Sequence, residues 1–281
     1  MVILVTGANG FIGKCLTDAL LEAGYEVAGL DLKERKLESA KYRHYSADLS
    51  DKDAVARIMK ESRAERIIHL AALAHTVNEK DLSWDRYYHV NVECSRNVFS
   101  AAGSRPVLYI STIDVFGFYD GKKPVNGLTP VHPVSKYGKS KAMAEEECKK
   151  LEHYSIFRLS PVYTDSLRRD IQKRYYLKYP HIAYQVGSGT AFEILNLSLA
   201  VENMVRWCSS EPKNDIRIIK DSDLMWTPDY IKAEKAAGRA NIVLRFPRWM
   251  VNLGYSALKG ILGENEKTYL LNKAVHPLRS E

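Results

Sequence analysis

Short apolar runs alternate with segments of helical periodicity through the first 159 residues of the chain. The apolar runs, typical of buried strands, fall at residues 2–5, 25–30, 66–70, 107–111 and 155–159. Helical periodicity falls at residues 14–22, 84–102 and 136–151. This alternation predicts an α/β fold of the Rossmann type, a doubly wound parallel sheet with helices on both faces.

A glycine-rich turn, Thr-Gly-Ala-Asn-Gly-Phe-Ile-Gly, follows the first apolar run directly and opens the first predicted helix. Gly7 permits a tight turn, Gly10 lets the backbone approach a pyrophosphate, and Gly13 lets the helix pack on the strand. The turn therefore predicts a dinucleotide cofactor at the helix N-terminus. The expected contacts within it are Gly7, Asn9, Gly10, Phe11, Ile12 and Gly13.

Asp31 ends the second apolar run, eighteen residues after Gly13. A carboxylate at this place accepts hydrogen bonds from the adenosine ribose, which favours NAD. Lys33, Arg35 and Lys36 follow closely and offer cations for a 2′-phosphate, so NADP is the alternative cofactor.

Tyr137 and Lys141 are four residues apart in a predicted helix, so their side chains point the same way. A phenol with a reference pKa of about 10 carries protons poorly at neutral pH, and a cation one turn away favours its phenolate form. The pair predicts a general acid/base for interconverting an alcohol and a ketone.

Charge and cysteine usage restrict the partners of the chain. Residues 1–150 carry 22 Lys and Arg against 20 Asp and Glu, whereas residues 151–281 carry 19 against 14. A basic carboxy-terminal part suits a phosphate-bearing substrate or an anionic membrane surface; without a nucleic-acid-binding motif, no nucleic acid partner is expected. Four widely spaced cysteines indicate neither a metal site nor disulfides, and together with the absence of a signal peptide or transmembrane run they favour a cytoplasmic protein.

The expected domains are a nucleotide-binding domain at residues 1–159, to which 191–212 return, and a small substrate-binding domain at 160–190 and 213–281. In the latter, residues 241–262 predict an amphipathic helix broken near Pro247. Packing within its own domain is the favoured interpretation of this helix, and peripheral membrane association is the alternative. Arg168 and Arg169 are candidate phosphate ligands, although a solvated helix face explains them equally well.

Several further motifs carry a family resemblance that covers roughly residues 1–165. They are Asp48-Leu49, Leu70-Ala71-Ala72-Leu73-Ala74-His75, Asn91-Val92, Ser111-Thr112-Ile113-Asp114-Val115-Phe116-Gly117, and Tyr137-Gly138-Lys139-Ser140-Lys141 followed by Ala144-Glu145. With the glycine turn, these motifs resemble the extended short-chain dehydrogenase/reductases that act on nucleotide sugars. That family includes sugar 4-epimerases, 4,6-dehydratases and 4-keto reductases.

The resemblance implies roles by motif position. Asp48 and Leu49 border the adenine, Ala71 and Ala72 line the cofactor cleft, and Thr112 joins Tyr137 and Lys141 as the catalytic set. Lys141 also holds the nicotinamide ribose. His75 and Asp114 are candidate substrate contacts, against the alternatives of a packing histidine and a turn cap. A homodimer formed through the helices at 84–102 and 136–151 is implied, as is a place in polysaccharide biosynthesis.

The reaction expected is reduction of a nucleotide-linked 4-keto sugar, with NAD-dependent 4-epimerisation as the alternative. Pro161 stands where some epimerases carry a substrate-binding asparagine, which favours the reductase. A 4,6-dehydratase is disfavoured because Ile113 replaces an acidic residue that protonates the leaving hydroxyl. A non-enzymatic dinucleotide sensor is the rival outside enzymology, and the presence of Thr112, Tyr137 and Lys141 argues against it.

Overall fold

The computed structural model describes residues 1–74, 83–165 and 169–281. Its strands are β1 (Val2–Thr6), β2 (Glu26–Asp31), β3 (Tyr42–Ser46), β4 (Arg66–His69), β5 (Val107–Thr112), β6 (Tyr154–Leu159), β7 (Val162–Tyr163), β8 (Tyr176–Lys178), β9 (Ile182–Val186), β10 (Ala191–Phe192), β11 (Leu195–Asn196), β12 (Asp215–Ile219), β13 (Met225–Trp226) and β14 (Ile242–Phe246). Its helices are α1 (Phe11–Glu22), α2 (Lys52–Glu61), α3 (Trp84–Tyr88), α4 (Cys94–Ala102), α5 (Lys136–Cys148), α6 (Arg169–Gln172), α7 (Leu197–Cys208), α8 (Thr227–Ala236), α9 (Arg248–Leu262) and α10 (Glu266–Val275). A π-helical segment, His89–Glu93, joins α3 to α4, and a 3-10 turn, Ile113–Phe116, follows β5.

The main sheet has seven strands in the order β12-β6-β5-β4-β1-β2-β3. Each neighbouring pair from β5 to β3 is parallel. From β1 the chain builds β2 and β3 on one side, and it then returns to add β4 on the other side of β1. This reversal of strand order opens a crevice at the carboxyl ends of the strands. The α/β, doubly wound fold predicted from the apolar pattern is confirmed.

Two compact units divide the chain. The first comprises residues 1–115, 136–158 and 198–217, and the second comprises 116–135, 159–197 and 218–281. These limits differ from the expected domains at residues 116–135, 191–197 and 213–217: the first two stretches belong to the second unit and the third belongs to the first. The role of the second unit in holding substrate stays a prediction.

Each unit has its own apolar core. In the first unit, strand residues such as Leu4, Ile67 and Val107 pack with helix residues such as Val98 and Ala144. In the second unit, Ile171, Tyr175, Phe192, Met225 and Ile231 form a separate cluster. Burial of these apolar side chains stabilises each unit.

Two predicted helices differ from the structure. Residues 84–102 are helical, but the π segment at His89–Glu93 interrupts the α-helical hydrogen bonding. Residues 241–262 begin with a strand: Ile242–Phe246 pairs in parallel with β9, and α9 starts only after Pro247. The β-branched Ile242 and Val243 favour this strand pairing over a helix. In the part of the chain described here, no helix has the length and apolar character needed to cross a membrane.

Candidate active site

The turn between β1 and α1 is shaped for close approach of a ligand to the backbone. Gly7 has φ of +69°, and a Cβ at this position would lie 2.8 Å from the backbone nitrogen of Ala71. A Cβ on Gly10 would lie 3.1 Å from the carbonyl oxygen of Gly7, and one on Gly13 would overlap that same oxygen. Side chains at Gly7 and Gly13 are therefore excluded, and the outer surface of the turn is bare backbone.

The amino terminus of α1 supplies the electrostatic half of an anion site. Gly10 is the N-cap residue and has no capping side chain, and the first turn of this helix contains no acidic residue. Its first N–H groups and the positive end of the helix dipole are thus left for an external anion. Phe11, 43% exposed, and the half-buried Ile12 follow directly. The turn and the helix end together fit a pyrophosphate.

Asp31 ends β2 beside this turn and ties it to the following loop. Its Oδ2 accepts the N–H of Asn9 at 3.0 Å, and its Oδ1 accepts the N–H of Lys33 at 3.3 Å. The Asn9 side-chain amide donates in turn to the carbonyl of Lys33. A carboxylate has about four acceptor sites. Two bonds to the backbone therefore leave Asp31 able to accept hydrogen bonds from ribose hydroxyls.

Arg35, one of the cations considered for an NADP 2′-phosphate, is bound elsewhere. Its Nη2 lies 2.8 Å from Oδ1 of Asp18 on α1. Moving it to a phosphate would break this ion pair, so its placement favours the NAD interpretation of Asp31.

The other expected cofactor contacts also lie at carboxyl ends of strands of the main sheet. Asp48 follows β3, and the pKa of its carboxyl is lowered, chiefly by the N–H of Ser50 at 2.8 Å. The neighbouring Leu49 is half-buried. Ala71 follows β4, and its N–H donates to Oγ1 of Thr6 at 3.3 Å. Ala72 is half-buried beside it.

Tyr137 and Lys141 lie on α5, one turn apart on the same side of the helix. Tyr137 is half-buried, and its ring centroid is 6.4 Å from that of Tyr87 on α3. Lys141 is only 2% exposed, and its Nζ lies 4.1 Å from the ring centroid of Tyr109 on β5. The ammonium group therefore stands against an aromatic face inside the first unit.

Burial lowers the pKa of Lys141 to about 7, while the carboxylate of Glu145 acts in the opposite direction. Desolvation of the ammonium group is the larger effect. At neutral pH this lysine can therefore hold a proton or release it, which is the range in which an acid/base partner is effective.

Glu145 continues the same face of α5 one turn beyond Lys141 and is fully buried. Its carboxylate binds Arg158 on β6 through two bonds, Nε to Oε1 at 3.1 Å and Nη2 to Oε2 at 2.7 Å. It also accepts the hydroxyl of Ser111, on β5, at 2.6 Å. From the sequence alone, Glu145 belonged to a motif but had no assigned role. Its spacing of four residues from Lys141 was the signal that could have placed it on the same helix face. The carboxylate thus joins α5 to β5 and β6, one helical turn beyond Lys141.

Asn91, in the π segment, joins the cofactor cleft to the turn that carries Tyr137. Its amide accepts the N–H of Leu73 at 2.7 Å and donates to the carbonyl of Leu73 at 3.0 Å. It also donates to Oγ of Ser140 at 2.9 Å, and that hydroxyl donates to the carbonyl of Tyr137 at 2.8 Å. Asn91 is fully buried, and it too was quoted in a motif without a role. The chain of bonds fixes the first turn of α5 relative to the segment after β4.

Thr112 is the last residue of β5 and is half-buried. Its Oγ1 accepts the N–H of Asp114 at 3.2 Å. This bond uses one lone pair and orients the hydroxyl without consuming its hydrogen. Asp114 itself is half-buried in the 3-10 turn.

Three candidate substrate contacts remain. His75 and Arg168 lie outside the described residues. Arg169 begins α6, and its side chain is outside the described part of the chain. Contact of these three with a substrate stays a prediction.

The profile of the NAD dependent epimerase/dehydratase family matches residues 3–200. The chain belongs to this family. The UDP-arabinose 4-epimerase 1 of Arabidopsis thaliana is 32% identical over 159 residues, which are 51% of this chain and 38% of that protein. The UDP-glucose 4-epimerase of Bacillus subtilis (strain 168) is 31% identical over 159 residues, which are 52% of this chain and 46% of that protein. The matches thus span less than half the length of these curated relatives.

Solved structures extend the likeness to the fold of most of the chain. A UDP-glucuronic acid 4-epimerase from Bacillus cereus in complex with NAD superposes with a TM-score of 0.70 at 22% identity, over 88% of each chain. At this identity the likeness shows the fold alone. The family membership expected from the motifs is confirmed.

Proposed function

We propose that this protein is an NAD-dependent oxidoreductase acting at C4 of a nucleotide-linked sugar, with Tyr137 as the general acid/base. The observation that supports it most is the buried Lys141 one helical turn from Tyr137, on a helix tied by Asn91 to the segment after β4. The relatives named above support the nucleotide sugar. The glycine turn, the uncapped α1 and Asp31 would hold NAD, which accepts or returns the hydride.

The residues of the chain move and hold the proton. Tyr137 exchanges a proton with the C4 oxygen, and the ammonium of Lys141 favours the phenolate that this exchange requires. Thr112 donates its hydroxyl hydrogen to the same oxygen. Its bond from the N–H of Asp114 fixes the direction of that hydroxyl before substrate arrives.

Epimerisation and reduction differ in the fate of the hydride. The relatives named above are 4-epimerases, so 4-epimerisation with tightly held NAD is the first form of the proposal. Net reduction of a 4-keto sugar is the second form. It is supported by Pro161, which stands where some epimerases carry a substrate-binding asparagine.

One assay separates the two forms. The purified protein is incubated with UDP-linked sugars and NAD, and separately with their 4-keto derivatives and NADH or NADPH, while reduced nicotinamide absorbance and sugar identity are followed. Interconversion of C4 epimers without net cofactor consumption indicates the epimerase, and stoichiometric oxidation of NADH indicates the reductase. If neither interconversion nor cofactor oxidation is seen with any of these sugars, the proposal is contradicted.

The role of Tyr137 is tested by Tyr137→Phe. Because only the hydroxyl is removed, we expect kcat to fall by about 10²–10⁴-fold, with NAD affinity nearly unchanged. Tyr25→Phe is the matched control: Tyr25 is equally half-buried but precedes β2, at the amino end of the strands. An unchanged rate in Tyr137→Phe would show that another group transfers the proton.

Homodimerisation through the helices at 84–102 and 136–151 stays a prediction. Light scattering of the purified protein measures it directly.

A further inference from the structure

Helix α9 in the second unit presents an apolar face to solvent. With 100° between successive residues, six side chains fall within an arc of about 120°: Trp249, Met250, Leu253, Ala257, Gly260 and Ile261. All six positions are exposed, with exposed fractions of 68% at Trp249, 63% at Leu253 and 80% at Ile261. We call these six residues the outer face of α9.

The opposite side of α9 makes the contacts within the second unit. Tyr255 is the one residue of this helix that is buried, and its hydroxyl accepts the amide of Asn272, on α10, at 3.1 Å. Arg248 donates to the carbonyl of Gly189 at 2.6 Å, and Lys259 pairs with Glu264 at 2.8 Å. The helix is thus held by its inner side. The expectation that its apolar residues pack into their own domain is wrong for the outer face.

Exposed apolar residues continue into the strand before α9. Ile242 and Leu244, alternate residues of β14, are 51% and 40% exposed. β14 is an edge strand of its three-stranded sheet, and only Pro247 separates it from α9. An exposed apolar patch of this kind is more often an interaction site than ordinary surface that stays in contact with water.

Charge selects the kind of partner. Residues 235–263 contain five Lys and Arg and no Asp or Glu, but Arg239 and Lys259 pair with Glu234 and Glu264 directly outside this range. Arg245, on β14, is exposed. Two copies of this chain meeting through α9 would bring the same cations together, which opposes self-association. An apolar face preceded in the chain by the exposed cation Arg245 complements a surface that is apolar below and anionic at its edge.

We propose that the outer face of α9 docks the protein on an anionic phospholipid surface. Fifteen residues extend about 22 Å, less than the roughly 30 Å of a hydrocarbon core, so α9 lies in the plane of the interface. Trp249 and Leu253 enter the boundary between headgroups and acyl chains, and Arg245 meets anionic headgroups. This inference is independent of the proposed chemistry.

Flotation of the full chain with vesicles tests the proposal. We expect the protein to float with phosphatidylcholine vesicles that contain phosphatidylglycerol, and to float far less with phosphatidylcholine alone or at high salt. Leu253→Glu should lower the partition coefficient by about tenfold or more, because it removes the leucine side chain that the lipid boundary would bury. Arg245→Gln should lower it by about fivefold.

Leu128→Glu is the matched control, because Leu128 is 91% exposed in the same unit but lies outside α9. It should float like the unaltered protein. Trp249→Gln is the second variant should Leu253→Glu fail to fold, which thermal melting reports.

Three results would overturn the proposal. The first is an unaltered protein that does not float with anionic vesicles. The second is an equal loss of flotation in Leu128→Glu. The third is a dimer in lipid-free solution that Leu253→Glu dissociates, since the outer face would then be a self-association surface.

Discussion

At the scale of single residues, burial of the Lys141 side chain lowers the stability of the folded protein. Lys141 is 2% exposed, and burial lowers the pKa of its ammonium group from 10.5 to about 7. The folded protein therefore binds this proton more weakly than the unfolded chain does, and the protein is less stable wherever the unfolded lysine is charged. Active-site groups held in such environments exchange stability for reactivity.

Lys141→Met should therefore stabilise the protein while abolishing turnover. A methionine of similar length removes the buried charge, and we expect the free energy of unfolding near pH 7 to rise by about 1–3 kcal/mol. The gain should be full below about pH 7 and should shrink as pH rises toward 10.5, where the unfolded lysine also becomes neutral. Urea unfolding at several pH values measures it.

Lys139→Met is the control for Lys141→Met, because Lys139 lies on the same helix but is exposed. It should change the free energy of unfolding by no more than about 0.5 kcal/mol and leave activity intact. A destabilised Lys141→Met protein would mean that the Tyr109 ring and Glu145 stabilise the ammonium more than burial penalises it.

The placement of Tyr137 and Lys141 on one helix face could be predicted from the sequence, whereas the contacts that support these residues could not. A spacing of four places Tyr137 and Lys141 on one helix face, and this needs only the helical period. The Arg158 partner of Glu145 is thirteen residues away on β6, so the ion pair depends on how the helix packs on the sheet. Periodicity along the chain carries no information about such a pairing across elements.

At the scale of elements, strands at residues 2–5 and 107–111 followed directly from apolar runs, because fully buried parallel strands need apolar side chains on both faces. The π segment at His89–Glu93 could not be predicted from the sequence, because its side chains also suit an ordinary α-helix. That segment places Asn91 where it bonds both the backbone of Leu73 and the hydroxyl of Ser140. β14 was missed for a related reason: its pairing partner, β9, is some sixty residues earlier in the chain.

Gly13→Ala tests the junction of β1 and α1. A methyl group there would overlap the carbonyl oxygen of Gly7 and lie 2.9 Å from backbone atoms of Ala8. Backbone atoms cannot move aside cheaply, so α1 must shift away from the turn. We expect NAD affinity, measured by calorimetric titration, to fall by about tenfold or more, because the N–H groups that face the pyrophosphate lose their alignment.

Gly254→Ala is the matched control within a helix. A Cβ at Gly254 meets no heavy atom within 4 Å, so alanine should be neutral or stabilise α9 by up to about 1 kcal/mol. It should leave NAD affinity unchanged. Equal affinity of Gly13→Ala and the unaltered protein for NAD would show that the pyrophosphate does not lie on this turn.

At the scale of the whole molecule, the sequence located the nucleotide-binding half well, because its motifs follow the βαβ order along the chain. The second unit is assembled from three separate stretches, 116–135, 159–197 and 218–281. Its strands are mostly short; β10, β11 and β13 have two residues each. Such short pairings leave no periodic pattern, so the composition of this unit, including residues 116–135, could not be predicted from the sequence.

Because the two units have separate cores, NAD should stabilise them unequally. The glycine turn, Asp31 and Lys141 all belong to the first unit, so its unfolding transition should rise when the dinucleotide binds. At a concentration of NAD about 100 times its Kd, the stabilisation is about 2.7 kcal/mol, or roughly 5–10 °C in Tm. NADP should shift the transition less, because its 2′-phosphate would face the carboxylate of Asp31. Differential scanning calorimetry with each nucleotide measures these shifts, and adenosine monophosphate, which lacks the pyrophosphate, is the control. A larger shift with NADP than with NAD would reverse the assignment of Asp31, and a shift confined to the transition of the second unit would place the nucleotide outside the crevice of the main sheet.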